Sequence, residues 1–175
     1  ARVVANPTTP LSFKWEKDRA GITVVGTAKQ LGWTDALFLT TSAGFLEAVA
    51  MVPGGVTDGL YASSGWQDLY ARATEEAPAA FMAAYQERYG QPATGFAMLG
   101  YTAAQQLVMA LEAAGPDLTV ESFLQGVYSI DFDDPLLGTH ISYSEGNHQG
   151  ANDIFISQVS GGQWNTLVSI PGGGE

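Results

Sequence analysis

The sequence contains no cysteine, which excludes a disulfide scaffold, a thiolate metal site and a cysteine nucleophile. Positive charge is scarce: seven Lys and Arg stand against eighteen Asp and Glu, for a formal net charge of −11. Phosphate backbones and anionic lipids are bound by clustered Lys and Arg, so nucleic acid and membrane surfaces are set aside as partners. The acidity reads as a solubility feature. Histidine is limited to His140 and His148, with Glu145 between them. That set is too small and too spread for a metal centre, and neither metal nor cofactor is expected. No apolar run approaches the roughly 18 residues that span a bilayer. No basic stretch followed by an apolar one opens the chain, so a mature secreted or cytosolic protein, or a fragment that starts mid-chain, is expected. The nucleophile elbow G-x-S-x-G, the P-loop and H-E-x-x-H are all missing.

What remains is a chain of 175 residues, 46% apolar, enough for one domain or a substantial piece of a larger one. Pro7 and Pro10 interrupt the first twenty residues, which show no clean period. "GITVVGTAKQLGW" reads as a short β-rich run and then a polar-apolar stretch ending at Gly32. "DALFLTTSAG" reads as a buried strand of the kind found inside a parallel sheet. "FLEAVAMVPGG" fits a short helix with Leu46, Val49 and Ala50 on one face, stopped at Pro53. "VTDGLYASSGW" is a second strand, broken at Ser63-Ser64-Gly65, and "QDLYARATEEA" is turn-like.

Three helices follow. Phe81, Tyr85 and Tyr89 recur every four residues in the first, which Gly90 and Pro92 terminate. Leu99, Ala103, Leu107 and Leu111 form one stripe of the second, which ends at Gly115-Pro116. Thr119 is placed to cap the third, with Glu121 near its positive end. The tail alternates with period two, and Gly161-Gly162 joins "IFISQV" to "WNTLVSI" as a β-hairpin. "PGGGE" reads as a frayed end. The order strand, helix, strand, long helices, hairpin predicts an α/β fold with a mixed sheet.

Catalysis finds little support. "DFDDP" lacks the later acidic position, the glycine and the closing Glu of a calcium loop, and reads as a solvated turn. Asp68, Glu75 and Glu76 have no obvious positioned partner for acid–base work. Binding fares better. "LFLTTSAGF" runs apolar and then places Thr40, Thr41, Ser42, Ala43 and Gly44 at a strand's end. Hydroxyls and glycine there let a ligand rest against main chain, where ligands of α/β sheets collect. "SSGWQD" repeats the idea with Trp66 as a flat wall, and "ATGFAMLGY" supplies Phe96 and Tyr101 among glycines. Each aromatic alone reads as core packing; together they suggest a small-molecule pocket.

"YQERYGQPATGFAMLGYTAAQQLVMALEAAG" resembles the fold-type I periplasmic binding proteins of ABC importers, the group of the Leu/Ile/Val-binding proteins and their relatives for aromatic acids, amides and urea. The matching residues are Ala84, Tyr85, Arg88, Tyr89, Gly90 and Pro92, then Phe96, Ala97, Gly100, Tyr101 and Ala103, with a departure at Thr102, where Asp is common. "AKQLGWTDALFLTTSAG" is similar to the family's helix end and following strand, "GLYASSGWQD" to a crossover between lobes, and "DFDDPLLGTHISYSEGNHQGANDIFISQVSGGQW" to its closing segment and last hairpin. The resemblance spans Ala28 to Val168.

It implies three-layer α/β/α lobes joined by hinge strands, with ligand trapped between them, in a chain that lacks most of the N-terminal lobe. Residues 1–27 are unplaced, 28–64 belong to the second lobe up to a hinge crossing, 65–130 return to the first lobe, and 131–175 hold the last crossing and hairpin. The implied ligand-binding residues are Thr41, Ser42, Ala43, Gly44, Phe45, Trp66, Phe96 and Tyr101, with no catalytic residue. The implied partners are a small-molecule ligand (amino acid, aromatic carboxylate or amide) and a membrane ABC permease, for a protein monomeric at full length and periplasmic or extracellular, with a lipid anchor as one form of the precursor. A ligand-sensing regulatory or receptor domain of the same fold is the alternative; an enzyme or a bare interaction domain ranks below it.

Overall fold

A computed structural model describes residues 20–33 and 35–172. The readings of the first nineteen residues and of the last three lie outside the described residues.

The first described element is a helix, α1 (Ala20–Gln30), where the β-branched run Ile22-Thr23-Val24-Val25 led us to expect a strand. Ile22, Val25 and Ala28 fall on one helical face, and Val25 and Ala28 are buried there. Burial of that face outweighs the small propensity cost of β-branched residues. The Lys29 ammonium donates to the Asp58 carbonyl at 2.9 Å, tying the helix end to the turn before the next strand.

Next comes β1 (Leu39–Thr40), then a 3₁₀ turn over Ser42–Gly44, α2 (Glu47–Ala50), a second 3₁₀ turn over Pro53–Gly55, and β2 (Tyr61–Ser64). The expected buried strand is a correction: β1 has two residues, and Leu37 and Leu39 are 84% and 65% exposed. β1 is the edge of a four-stranded sheet ordered β1-β2-β5-β6, with β5 spanning Ile154–Ser160 and β6 Gln163–Ile170. Among the described residues no strand pairs with its outer edge and little packs over Leu37 or Leu39, so the apolar pattern here does not report burial. β1 runs parallel to β2, and the remaining pairs are antiparallel, which makes the sheet mixed as expected. Gly161 and Gly162, with φ of 62° and 81°, make the tight β5–β6 turn that residues with a Cβ resist.

Ala62, Ser64, Phe155, Ser157 and Val159 occupy one buried face of this sheet. There a first hydrophobic cluster joins Val25 of α1, Phe45, Val49 and Ala50 of α2 and its approach, and Trp164 of β6. Trp164 is fully buried, its ring 5.1 Å from that of Phe45, and its indole N–H donates to the Leu46 carbonyl at 2.9 Å.

A second cluster forms around three longer helices, α3 (Glu76–Tyr89), α4 (Gly95–Ala114) and α5 (Val120–Tyr128), and the hairpin β3 (Asp131–Asp134) and β4 (Thr139–Ser142). α3 ends where expected, on Gly90 in the left-handed conformation. Thr119 caps α5, and Ser122 returns the bond to the Thr119 amide. α4 faces the core differently from the sequence reading. Leu107 and Leu111 are exposed, and the buried stripe is Met98, Thr102 and Ala110. Gly126 of α5 lies so close to the Ala110 carbonyl that a Cβ would collide with it, which fixes α4's inward face. The Thr102 hydroxyl satisfies itself on the Met98 and Leu99 carbonyls, so a polar residue can occupy that stripe. The solvated turn expected at "DFDDP" is a correction: Asp131–Asp134 form β3, and the turn follows over residues 135–138, held by the buried Asp134 carboxylate, which accepts from the Leu136 and Leu137 amides.

Candidate functional site

The loop Thr41–Phe45 leaves the C-terminal end of β1, as the sequence suggested. Thr41, Ser42 and Ala43 are exposed and Gly44 is half-buried. The turn closes on itself: the Gly44 amide donates to the Thr41 carbonyl at 2.9 Å and the Phe45 amide to the Ser42 carbonyl at 3.1 Å. Gly44 is needed at its place, because a Cβ would run into the Thr40 side chain. Phe45, expected as a wall around a ligand, is instead 5% exposed. Its ring sits between Trp164 and Trp66, the latter edge-on at 6.2 Å, and forms the floor beneath the loop.

Trp66 is half-buried and packs against both hydrophobic clusters. Phe96, in the first turn of α4, is exposed. Tyr101 is also exposed, and its ring lies 5.3 Å from Phe81 of α3, not over the loop. The eight residues therefore fall into four places: the loop on its aromatic floor, Trp66 beside that floor, the first turn of α4 with Phe96, and Tyr101, about 140° further round α4 and against Phe81.

Glu47 links the first of these places to the third. Its carboxylate accepts the Gly95 amide, the first of α4, from 48 positions earlier in the chain. Thr94 accepts the Ala97 amide at 3.1 Å, and the Tyr70 hydroxyl donates to the Ala93 carbonyl at 2.7 Å. The start of α4 is thus held from α2, from its own cap and from the turn over residues 66–71. That turn contains Asp68, which accepts the Ala71 amide at 2.9 Å. Asp68 is only 6% exposed. Burial pushes its carboxyl up to about 6, the nearby Glu47 charge adds to the shift, and the Ala71 and Tyr70 amides oppose it. Burial also raises the Tyr70 phenol, with Glu47 and Asp68 contributing.

The sequence reading passed over Glu47 and found no partner for Asp68. The turn Asp68-Leu69-Tyr70-Ala71 held the available signal, since an Asp accepting the amide three residues on is common turn chemistry.

Two surface hollows lie elsewhere. One of about 310 Å³ is lined by Met51, Tyr70 and Gly161–Gln163. The other, of about 440 Å³, is lined by Arg72, Glu75, Glu76, Ala77, Pro78, Ala80 and Pro135. Neither contains any of the eight expected residues. His140 stands apart on β4 and pairs with Asp133 at 2.9 Å and Asp131 at 3.1 Å; the Asp133 bond raises its pKa. No helix among the described residues is long and apolar enough to cross a membrane.

The fold, with its mixed sheet, crossing helices and closing hairpin, is that of the type I periplasmic binding proteins. The model of the family described as "Periplasmic binding protein" matches residues 18–163, and the chain belongs to that family. Similar solved structures include a leucine-binding protein from Thermotoga maritima, at 22% identity and TM-score 0.64, covering 86% of this chain and 41% of that one. A solute-binding protein of an ABC transporter from R. palustris, in complex with benzoate, is 19% identical with TM-score 0.65, covering 89% of this chain and 42% of that one. A fatty acid ABC transporter substrate-binding protein from Thermomonospora curvata is 20% identical with TM-score 0.68, covering 87% and 40%. This chain therefore spans about two fifths of the length of the structures it matches. No curated protein matches it.

Proposed function

We propose that this chain is part of the extracytoplasmic substrate-binding component of an ABC transporter and contributes one side of a cleft for a small polar or aromatic solute. The observation that carries this reading is the family match over residues 18–163. The chemistry supports it: exposed hydroxyls at Thr41 and Ser42 and the small residues Ala43 and Gly44 lie at a strand end, with Phe96 exposed at a helix start. In this reading the hydroxyls hold the ligand's carboxylate or amide. Phe96 and Trp66 enclose its apolar part and Phe45 is the floor; Tyr101, packed against Phe81 on another side of α4, stands outside this grouping. Capture requires no catalytic residue. Ligand that contacts both lobes shifts the population toward a closed form, which presents a surface to the membrane permease.

The solutes bound by similar structures give the test set: leucine, benzoate and a fatty acid. In a thermal-shift screen of the longer parent chain, a ligand at about a hundred times its dissociation constant stabilises by about 2.7 kcal/mol. Phe96→Ala is expected to abolish the shift while leaving the protein folded. A variant that shifts as wild type does removes Phe96 from the pocket. If no solute of the three classes shifts either protein, the transport reading loses its support relative to a sensor for a different ligand.

A further inference from the structure

We propose that Glu47 is a positioning residue that latches the loop after β1 to the first turn of α4, and that the buried Asp68 beside it sets how firmly the latch is held. Its bearing on ligand capture rests on the function proposed above; the latch itself does not.

Three observations carry it. First, Glu47 is the only described side chain that accepts the Gly95 amide, and it does so across elements remote in sequence. An α-helix leaves its first amides without internal partners, and a carboxylate there satisfies a donor and meets the positive end of the helix. Thr94 already serves the Ala97 amide, so Glu47 does not duplicate the local cap.

Second, both ends of the link are fixed independently. Leu46, the residue before Glu47, has its carbonyl pinned by the Trp164 indole, and Ala93, two residues before Gly95, is pinned by the Tyr70 hydroxyl. The latch therefore joins two anchored segments, and releasing it removes one of the three ties on the first turn of α4, which carries Phe96, while the Thr94 cap and the Tyr70 bond remain.

Third, Gly95 leaves the contact room. A Cβ at that position would stand 2.9 Å from a Glu47 carboxylate oxygen and would push the carboxylate aside.

Asp68 is buried in the turn whose Tyr70 pins Ala93, two residues before the Gly95 that the latch holds, so a charge on Asp68 bears on the latch. The charged group acting on it from another element is Glu47 of α2, and Tyr70 flanks it within its own turn. Arg72 is turned away, to Glu75 and the Pro135 and Leu136 carbonyls, and among the described residues no cation acts on Asp68. Below about pH 6 Asp68 is neutral and Glu47 faces no like charge from it. Above that, Asp68 ionises and repels Glu47, which is half-buried and has a way out to solvent. The latch is tighter on the acid side.

Backbone NMR of the unliganded protein tests this through one amide. The protection factor of Gly95, which already corrects for the intrinsic pH dependence of exchange, is measured from pH 5 to 8 in the wild type, Glu47→Ala, Glu47→Gln, Gly95→Ala and Asp68→Asn. Glu47→Ala is expected to lower Gly95 protection about tenfold, as fits the loss of one charge-assisted bond. Glu47→Gln, which keeps an acceptor oxygen, recovers part of the protection and lowers the Asp68 midpoint. Gly95→Ala reproduces the loss at position 95 with the Glu47 charge intact. In the wild type protection falls as pH rises through Asp68's titration, and in Asp68→Asn it does not. Equal protection in wild type and Glu47→Ala overturns the latch, and an Asp68 midpoint unmoved by Glu47→Gln overturns the coupling. Benzoate added to the same samples reports ligand capture separately: a protein that latches but does not bind benzoate leaves this inference standing and counts only against the transport reading.

Discussion

The two hydrophobic clusters are anchored by different side chains. Around the four-stranded sheet, Phe45, Leu60, Ala62 and Val159 close on Trp164, which has no exposed surface. Around α4, Met98 and Ala110 are equally buried, yet the far side of the same helix shows Tyr101, Leu107, Val108 and Leu111 to solvent. Only Glu112 carries charge between Gly95 and Ala114. A helix that is apolar all round is normally covered all round. The sheet is bare in places too, at Leu37 and Leu39 by its β1 edge and at Ile154, Leu167, Val168 and Ile170 of β5 and β6; what differs is the buried anchor, a whole indole under the sheet and the smaller Met98 and Ala110 under α4.

The largest expected effect tests this asymmetry directly. Trp164→Ala removes a fully buried ring, its contact with Phe45 and the hydrogen bond that fixes Leu46, and should cost about 3–5 kcal/mol in urea unfolding. Met98→Ala, which removes the smaller anchor, should cost less, near the lower end of the roughly 2–5 kcal/mol seen for such truncations. If Met98→Ala proves as costly as Trp164→Ala, the two anchors weigh the same and the comparison fails.

Next in size is the dependence on pH. Asp68 titrates at about 6 in the folded chain against an ordinary value of 3.8, so the folded state binds its proton more tightly than the unfolded state does. Its contribution is therefore fully present below about pH 4 and is lost as pH rises to about 6, a change of about 2–3 kcal/mol from this group. The raised His140 has the same sign in a later window: its pairing with Asp133 and Asp131 stabilises below the ordinary 6.5 and fades as pH climbs through its raised value. Unfolding free energy measured from pH 4 to 8 should fall in two steps. Asp68→Asn should remove the first step and His140→Gln the second. A first step that survives in Asp68→Asn assigns it to another group.

How much of this was legible in the sequence follows from which signals are local. Gly90, Thr119 and Gly161-Gly162 act through the backbone within a turn of themselves, and their elements end where those residues said they would. Phe45 was read as a ligand wall from its neighbours in sequence, whereas its environment is set by Trp164, more than a hundred residues away. The β-branched run in α1 misled because propensity is weaker than the burial of Val25 and Ala28. Glu47 and Asp68 carried no motif at all; they matter because the fold brings α2 to the start of α4. The loop Thr41–Gly44 was legible as the end of a strand, since strand end, hydroxyls and glycine are adjacent in the chain; that a ligand rests on it belongs to the proposed function.

The smallest expected effect concerns α4 itself, where the apolar pattern left the inward face open. The stripe Leu99, Ala103, Leu107 and Leu111 is as regular as the stripe Met98, Thr102 and Ala110, and periodicity alone does not rank them. What ranks them is the close crossing of Gly126 over the Ala110 carbonyl, which turns Leu107 outward. Leu107→Gln preserves helix propensity and removes only surface that is already half exposed, so it should change the unfolding free energy by no more than about 0.5 kcal/mol. The same substitution should visibly reduce binding of a hydrophobic dye such as ANS, because it interrupts a patch that runs from Tyr101 through Val108 to Leu111. A loss of more than about 2 kcal/mol would place Leu107 in a packed environment. The two sides of α4 would then be alike, and the contrast between the clusters would have to be drawn elsewhere.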